Sequence, residues 1–571
     1  SPSQTGFPFP DDSYSAYATI TKVAGAHSIK AGFEFKHNRN LDDGYFTGNM
    51  SFNKVPTEDP QNAAATGNAV ASYLLGLPTV AQRNIGQGTT ALMRKEDYSF
   101  FVQDDWRATS SLTVNLGLRY DNSEWPKHRD DLLASIDLLT GEFLWDGVNP
   151  ITGEGPNVRR GIVEPDNNNF APRAGMAYRL GEKTTLRSGF GVFYMTNYLW
   201  EAQGVRGNWP FAISETLSNL NDRGPVSLVE TSFTPDLDVK MGSTVAPSAQ
   251  HIVPRTNRTS YTMQWNFHVQ RQLAEDLMVE LGYVGTRGLK MSTFSNVNTA
   301  PAGPGEVQPR RPLPQYGAMS EMGNQAASIY HGLQFKIEKR FSDGLSFRGN
   351  YAWGKTIDLL GAGFSASQTA QNPLDIRSDR ALSDLHRAHA FTFDYVWQLP
   401  IGRDKAFGAG WSKAADAVLG GWQLTGIITS SSGPPVNASL PRDTANIGGR
   451  SLAQRPDLAG DPYGGVSGAP EEYFNLAAFA EPAPYTFGNF GRNVLLAPGL
   501  FQFDAGLFKN FRLTERVGLQ FRSEFFNAFN NVNFGKPNAN FDAGAGVFGS
   551  IGGLAPQQFA RQIQFGLKII F

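Results

Sequence analysis

Several groups of residues have the types and spacing that chemistry uses. The run from Gly349 to Thr356, GNYAWGKT, matches the G-x-x-x-x-G-K-[ST] pattern of a phosphate-binding loop. Such a loop follows a buried strand, opens a helix and uses small residues, so that backbone N–H groups can wrap phosphates. Here Tyr351 and Trp353 continue an alternation that also contains Arg348, so the segment reads as a strand with Lys355 near its end. His386 and His389, at the start of another predicted strand, fall on opposite faces and cannot share a metal without a bend. Asp104 and Asp105 are adjacent, which also sends them to opposite faces and denies them a joint acid–base role. Asp11-Asp12, Asp42-Asp43 and Asp130-Asp131 are loop pairs; hard oxygen ligands suit Ca²⁺, and solvated acids are the simpler reading. Neither H-E-x-x-H nor G-x-S-x-G occurs. No residue set is assigned to catalysis, a metal or a cofactor. What remains is recognition by loop aromatics. Trp200, Trp209 and Phe211 in 196–255, and Tyr463, Tyr473 and Phe479 in 433–499, are the candidates for substrate contact. The competing reading is packing of loop on loop.

The elements that would position these residues are strands. Period-two alternation dominates: Phe559, Ile563, Phe565, Leu567, Ile569 and Phe571 share one face of the last segment, and Gln562, Gln564, Gly566 and Lys568 share the other. Tyr261, Met263, Trp265, Phe267 and Val269 alternate with Thr262, Gln264, Asn266 and His268. A strand alternates faces by geometry, so each segment has one apolar and one polar surface. The pattern predicts about seventeen strands: 14–23, 28–38, 44–53, 79–90, 95–108, 111–122, 171–180, 184–195, 256–273, 276–288, 328–341, 344–357, 387–399, 419–432, 500–512, 515–528 and 559–571. Many run past the 9–11 residues that a tilted strand needs to cross a bilayer. From residue 95 onward short turns alternate with long connections. That sequence of lengths puts tight turns on one rim and large loops on the other, as in outer-membrane barrels. Gln61–Gly76 reads as one short helix outside the wall.

Composition agrees with this layout. The 571 residues include 61 Gly, 34 Pro, 41 Phe and no Cys, with 18% charged residues and a formal net charge of −2. Absence of Cys excludes disulfides, thiolate metal sites and Cys nucleophiles. The near-zero charge argues against nucleic acid as a partner. No apolar run approaches the length of a transmembrane helix. A closed sheet needs apolar side chains on one face only, so 40% hydrophobic residues suffice. The chain begins SPSQTGFPFP, without Met or a signal peptide, and is expected to be the remainder of a longer protein. An odd strand count gives the same expectation, because bacterial barrels have even numbers.

The segments VQDDWRATSSLTVNLGLRYD (102–121), HSIKAGFEFKHNRN (27–40), YHGLQFKIEKRFSDGLSFRGNYAWGKTID (330–358) and FRSEFFNAFNNVNFGKPN (521–538) resemble TonB-dependent outer-membrane receptors, in particular the Oar-like subgroup. The resemblance covers nearly the whole chain. It implies an all-β fold, a transmembrane antiparallel barrel of 22 strands with long extracellular loops and short periplasmic turns. Residues 1–571 would then be its C-terminal portion, lacking the plug and the N-terminal carboxypeptidase-regulatory-like domain. It further implies uptake of a scarce or bulky extracellular substrate, energised by the TonB complex through the missing N-terminal region, and no enzymatic activity. Outer-membrane lipid would surround the wall. Phe565, Leu567, Ile569 and Phe571 look like the signal read by the barrel-assembly machinery. A passive porin or surface adhesin barrel, and a soluble secreted all-β carbohydrate-binding protein or enzyme, are the alternatives.

Overall fold

The computed structural model describes residues 11–42, 49–59, 66–85, 91–197, 199, 202, 204–218, 228–231, 251–360, 370–403, 405–449, 454–514 and 516–571. Fifteen long strands form one continuous antiparallel wall. They are β1 (Asp11–Ala24), β2 (His27–Asp42), β3 (Ala91–Arg107), β4 (Leu112–Ser123), β5 (Phe170–Leu180), β6 (Thr184–Tyr194), β7 (Tyr261–Gln272), β8 (Leu277–Val297), β9 (Met319–Ser342), β10 (Leu345–Asp358), β11 (His389–Gln398), β12 (Trp422–Ser431), β13 (Leu500–Arg512), β14 (Gly518–Phe526) and β15 (Gln562–Ile570). Each pairs with the next in chain order. Three two-residue segments, Lys127–His128, His251–Ile252 and Ala381–Leu382, extend the sheet on the loop side. Among the described residues β1 and β15 are not paired with each other.

Two of the expected wall strands lie elsewhere. Within 44–53 and 79–90 the structure has Asn49–Ser51 and Val80–Ile85, which join Ile213–Ser218 in a separate three-stranded sheet. Val80–Ile85 is the middle strand, between Asn49–Ser51 and Ile213–Ser218, and the latter lies more than a hundred residues away, a non-local pairing that alternation cannot reveal. Removing these two from seventeen leaves the fifteen of the wall. The helix is shorter than expected: Ala69–Leu74, capped by the Asn68 side chain on the N–H groups of Val70 and Ala71. Residues 61–65 of that segment lie outside the described residues.

Register fixes which face each residue takes. Leu281, Phe335, Tyr351 and Phe391 stand side by side on β8–β11, and one residue along, Glu280, Lys336, Asn350 and Thr392 share the opposite face. The first row faces lipid and the second the lumen, because lipid offers no partner for charge. Charges on the inner face meet one another: Arg119 lies 3.1 Å from Glu34 and 2.7 Å from Asp121, and Arg348 lies 3.1 Å from Asp394. Glycine has a packing role at Gly285, where an added Cβ would sit 2.2 Å from Cε2 of Trp265; the indole lies flat over the bare backbone of the next strand.

The decoys resolve as the alternation expects. Gly349–Thr356 is extended within β10. Asp104 faces out and meets His27 at 2.6 Å, while Asp105 faces in and meets Asn115 at 2.5 Å. His386 is buried and accepts from the Thr356 N–H, whereas His389 is exposed and bonded to the Tyr351 hydroxyl.

Candidate functional site: the loop-side mouth and inner wall

Connections between wall strands alternate between tight turns, such as Gly25–Ala26 and Asp343–Gly344, and long segments. The exception on the short side is 399–421, which carries the helix Lys413–Leu419. The long segments all leave one rim, and there they fold on each other. Ala134–Ile136 and Phe143–Trp145 form a hairpin in 124–169. That hairpin is tied to 195–260 by Asn208, whose amide donates to the Ala134 and His251 carbonyls at 2.7 and 2.6 Å. Tyr316 donates to the Gly141 carbonyl, and Arg310 and Arg311 donate to the Asn446 and Gly448 carbonyls. Asp379 and Arg455, both fully buried, meet at 2.7 Å and join 359–388 to 432–499. A second buried pair, Arg492 with Asp358, fastens the same loop to the end of β10. The mouth is therefore a second folded layer.

That layer has its own cores, and these decide the fate of the candidate aromatics. Trp209 packs on Phe143 and Trp145 with ring centroids 4.9 and 6.3 Å away. Phe211 is only 1% exposed. Phe479 is buried between Phe490 and Phe548, each 5.2 Å away. Tyr473 packs edge-on to Phe474. Packing of loop on loop accounts for Phe211 and Phe479, which no ligand can reach in this arrangement. Tyr463 is the reachable one: it is 44% exposed, with its hydroxyl accepting from the Leu496 N–H at 2.8 Å. The structure splits the set between two cores, Trp209 beside Ile136, Phe143, Ile252 and Met319, and Tyr473 with Phe479 beside Phe474 and Phe490. Trp200 lies outside the described residues. Phe565, Leu567, Ile569 and Phe571 are all exposed on the outer face of the C-terminal segment.

Two concave surfaces offer polar contacts instead. One, of about 220 Å³, opens where β4 and β7 enter the loop layer. Its charges are mostly paired: Lys127 with Glu124 at 2.5 Å and Arg258 with Asp166 at 3.7 Å, while Arg160 meets Asp131 outside the lining. Exposed Arg159 has no such partner among the described residues. The other, of about 320 Å³, lies on the inner wall across β3–β7. Gln103, Asn115, Arg173, Gln264 and Asn266 surround four inward glycines, Gly117, Gly175, Gly189 and Gly191, and the Arg173 guanidinium lies 4.6 Å over the Phe193 ring. Such a surface donates and accepts hydrogen bonds with a polar solute. The alternation placed Gln264 and Asn266 on the inner face; the glycine floor between the amides needed the register to be seen.

Two carboxyl groups are raised by burial, one in the loop layer and one where β9 runs ten residues past His331 into that layer. Asp146 is pushed up to about 6, partly offset by the N–H groups of Gly161 and Leu133 that it accepts from. Glu321 is pushed up to about 7, with Gln325 as its hydrogen-bond partner. Among the described residues no three His, Cys, Asp or Glu gather as a metal site.

A family model described as an outer membrane beta barrel domain matches residues 1–564. The chain belongs to this family. Its place is the outer membrane of a Gram-negative cell. No curated protein matches the chain. Among solved structures, this barrel is similar to a mutant of the ferric enterobactin receptor PfeA of Pseudomonas aeruginosa in complex with enterobactin. The identity is 12% and the TM-score 0.47, over 100% of this chain and 56% of that one. It is similar to the siderophore receptor PiuA of Acinetobacter baumannii at 10% identity and TM-score 0.42, over 98% and 56%. The outer membrane transporter YddB of Escherichia coli matches at 9% and 0.42, over 98% and 62%. The barrel thus spans little more than half the length of these structures.

Proposed function

We propose that this barrel is the membrane part of a TonB-dependent receptor, of the Oar-like kind, that captures a bulky or scarce substrate at its loop-side mouth. One observation carries the reading. Seven long connections build a folded layer on one rim, with apolar cores and the fully buried Asp379–Arg455 pair. A passive pore gains nothing from ordering so much chain over its entrance, since ordering each residue costs about 1–2 kcal/mol of backbone entropy. A receptor gains a preorganised surface. Substrate would meet Tyr463 and the cavity around Arg159 first, and then the amides and Arg173 of the inner wall. In this reading the plug and the TonB-contacting segment belong to parts of the receptor that residues 1–571 do not span. The test is capture of the periplasmic domain of TonB by the full-length receptor, together with swelling of liposomes containing that receptor in arabinose. Capture without swelling supports the reading. Swelling without capture makes the protein a porin.

A further inference from the structure

The outer face of β7–β11 changes character toward the loop side. Lower down it is Leu281, Phe335, Tyr351 and Phe391. Above these come aromatic residues with polar edges: Trp265, Tyr283 and Trp353, with the Tyr283 hydroxyl 2.8 Å from Nδ1 of His331 and the Tyr351 hydroxyl 2.7 Å from Nδ1 of His389. Rings of this kind suit the level where hydrocarbon gives way to headgroups. At and just beyond them stand basic residues. His331 is directly opposite Lys355. The Gly354 N–H donates to the Ala388 carbonyl, which continues the β10–β11 register and brings Arg387 beside Lys355. Arg287 lies two residues beyond Gly285, the partner of His331. Strands stand about 5 Å apart, so the four side chains occupy a strip roughly 15 Å wide.

All four are exposed, and none has a carboxylate partner among the described residues. Alternate positions of β7–β11 on this face, from Met263 to Phe267, Leu281 to Arg287, Ile329 to Phe335, Tyr351 to Ile357 and Arg387 to Phe391, contain no Asp or Glu. The nearest acids turn inward: Asp358 to Arg492, and Asp384 to the Asn493 amide. Buried His386 registers the excess, since burial lowers it and the charges of Lys355 and Arg387 lower it further. The contrast is the outer face of β1–β3, where Arg39 is paired with Asp12 at 2.6 Å.

We propose that Arg287, His331, Lys355 and Arg387 form a binding site for the phosphate of an outer-leaflet lipid headgroup. Two guanidinium groups can each present paired N–H donors to phosphate oxygens, and the ammonium adds a third charge. The acyl chains would lie along Leu333, Phe335 and Phe391 below. The site depends on the placement of the barrel in the membrane and not on its substrate or on TonB.

The test uses full-length protein in detergent, with native mass spectrometry counting bound lipid. Bisphosphorylated lipid A, the same lipid with its phosphates removed, and inorganic phosphate are the probes. The variant combines Arg287→Gln, Lys355→Gln and Arg387→Gln; Arg39→Gln is the control, and heat-modifiable gel mobility reports the intact barrel. The expected result is a loss of at least tenfold in affinity for phosphorylated lipid A in the triple variant and little change in the control. Equal binding by variant and parent overturns the site, as does equal binding of phosphorylated and dephosphorylated lipid. Competition by inorganic phosphate at the lipid's own concentration overturns the lipid as its source. Should the triple variant fail to fold, Lys355→Gln and Arg387→Gln are read singly against the same criteria.

Discussion

Replacing Phe335 by Arg tests the assignment of faces most directly. Phe335 points outward on β9 between Leu281 and Tyr351. Along the same face it stands four residues from His331 and four from Lys339. At about 3.4 Å per residue and a tilt near 40°, each separation is about 10 Å of depth, which puts Phe335 near the middle of a ~25 Å apolar band. Arg at that depth costs about 2–4 kcal/mol, or about 30- to 700-fold in the folding equilibrium. The neighbouring Gln334 points inward between Gly282 and Ala352 and is exposed to the lumen. Gln334→Arg keeps its charge in water and is expected to cost less than about 0.5 kcal/mol. Both variants are folded into phosphatidylcholine vesicles and unfolded in urea, with Trp fluorescence as the signal. Equal costs, or a larger cost for Gln334→Arg, would refute the inside–outside assignment and with it the reading of the wall as lipid-facing.

Three further outcomes are expected. Gly285→Ala puts a methyl group where the Trp265 indole lies, 2.2 Å from Cε2, so the ring must lift; a loss of about 1–3 kcal/mol and a shifted Trp emission are expected. Arg455→Ala leaves Asp379 buried without its partner, which is expected to cost about 3–5 kcal/mol and to open 359–388 and 432–499 to protease while the wall stays resistant. Glu321 binds its proton more tightly folded, at about 7, than its ordinary 4.5. Its contribution to the loop layer is complete below pH ~4.5 and is lost as pH rises through ~7, on the order of 3 kcal/mol. Proteolysis of the loops is expected to accelerate between pH 5 and 8 in the parent and less so in Glu321→Gln; unchanged pH dependence in that variant would place the titrating group elsewhere.

Much of the wall was legible because a lipid-facing strand writes its geometry directly into residue order. Tyr261 to Val269 shows apolar and polar faces without reference to any other segment. Loop lengths were legible for a related reason, since hairpin connectivity puts every second connection on the same rim. The loop layer obeys no such local rule. Asp379 and Arg455 are 76 residues apart and become a buried pair only through the path of two loops. Asn49–Ser51 and Val80–Ile85 alternate like wall strands, yet they pair with each other, and Val80–Ile85 takes Ile213–Ser218 as its second partner.

The loop aromatics show where composition misleads. Long loops rich in Trp, Tyr and Phe suggest ligand stacking, but a loop that must stand over a pore without a wall behind it has first to bury something of its own. Phe479 against Phe490 and Phe548 does this, as does Trp209 against Phe143. Large rings contribute most of the apolar area such small cores can bury. Under the receptor reading, the residues left for recognition are those the cores do not consume: Tyr463 at the surface, Arg159, which has no ion-pair partner among the described residues, and the amides facing the lumen. Substituting Phe479 should therefore loosen the mouth as a whole. Substituting Tyr463 by Phe keeps its ring on Phe474 and removes the hydroxyl with its bond to the Leu496 N–H, a cost of about 1 kcal/mol that should leave the loop cores packed while binding changes. The two variants separate packing from recognition in one uptake assay with a protease control: loss of uptake in both, with protease resistance kept only in Tyr463→Phe, is the pattern expected of a rigid mouth whose aromatics have divided roles. Protease resistance retained in Phe479→Ala would show that the loop cores do not hold the mouth together.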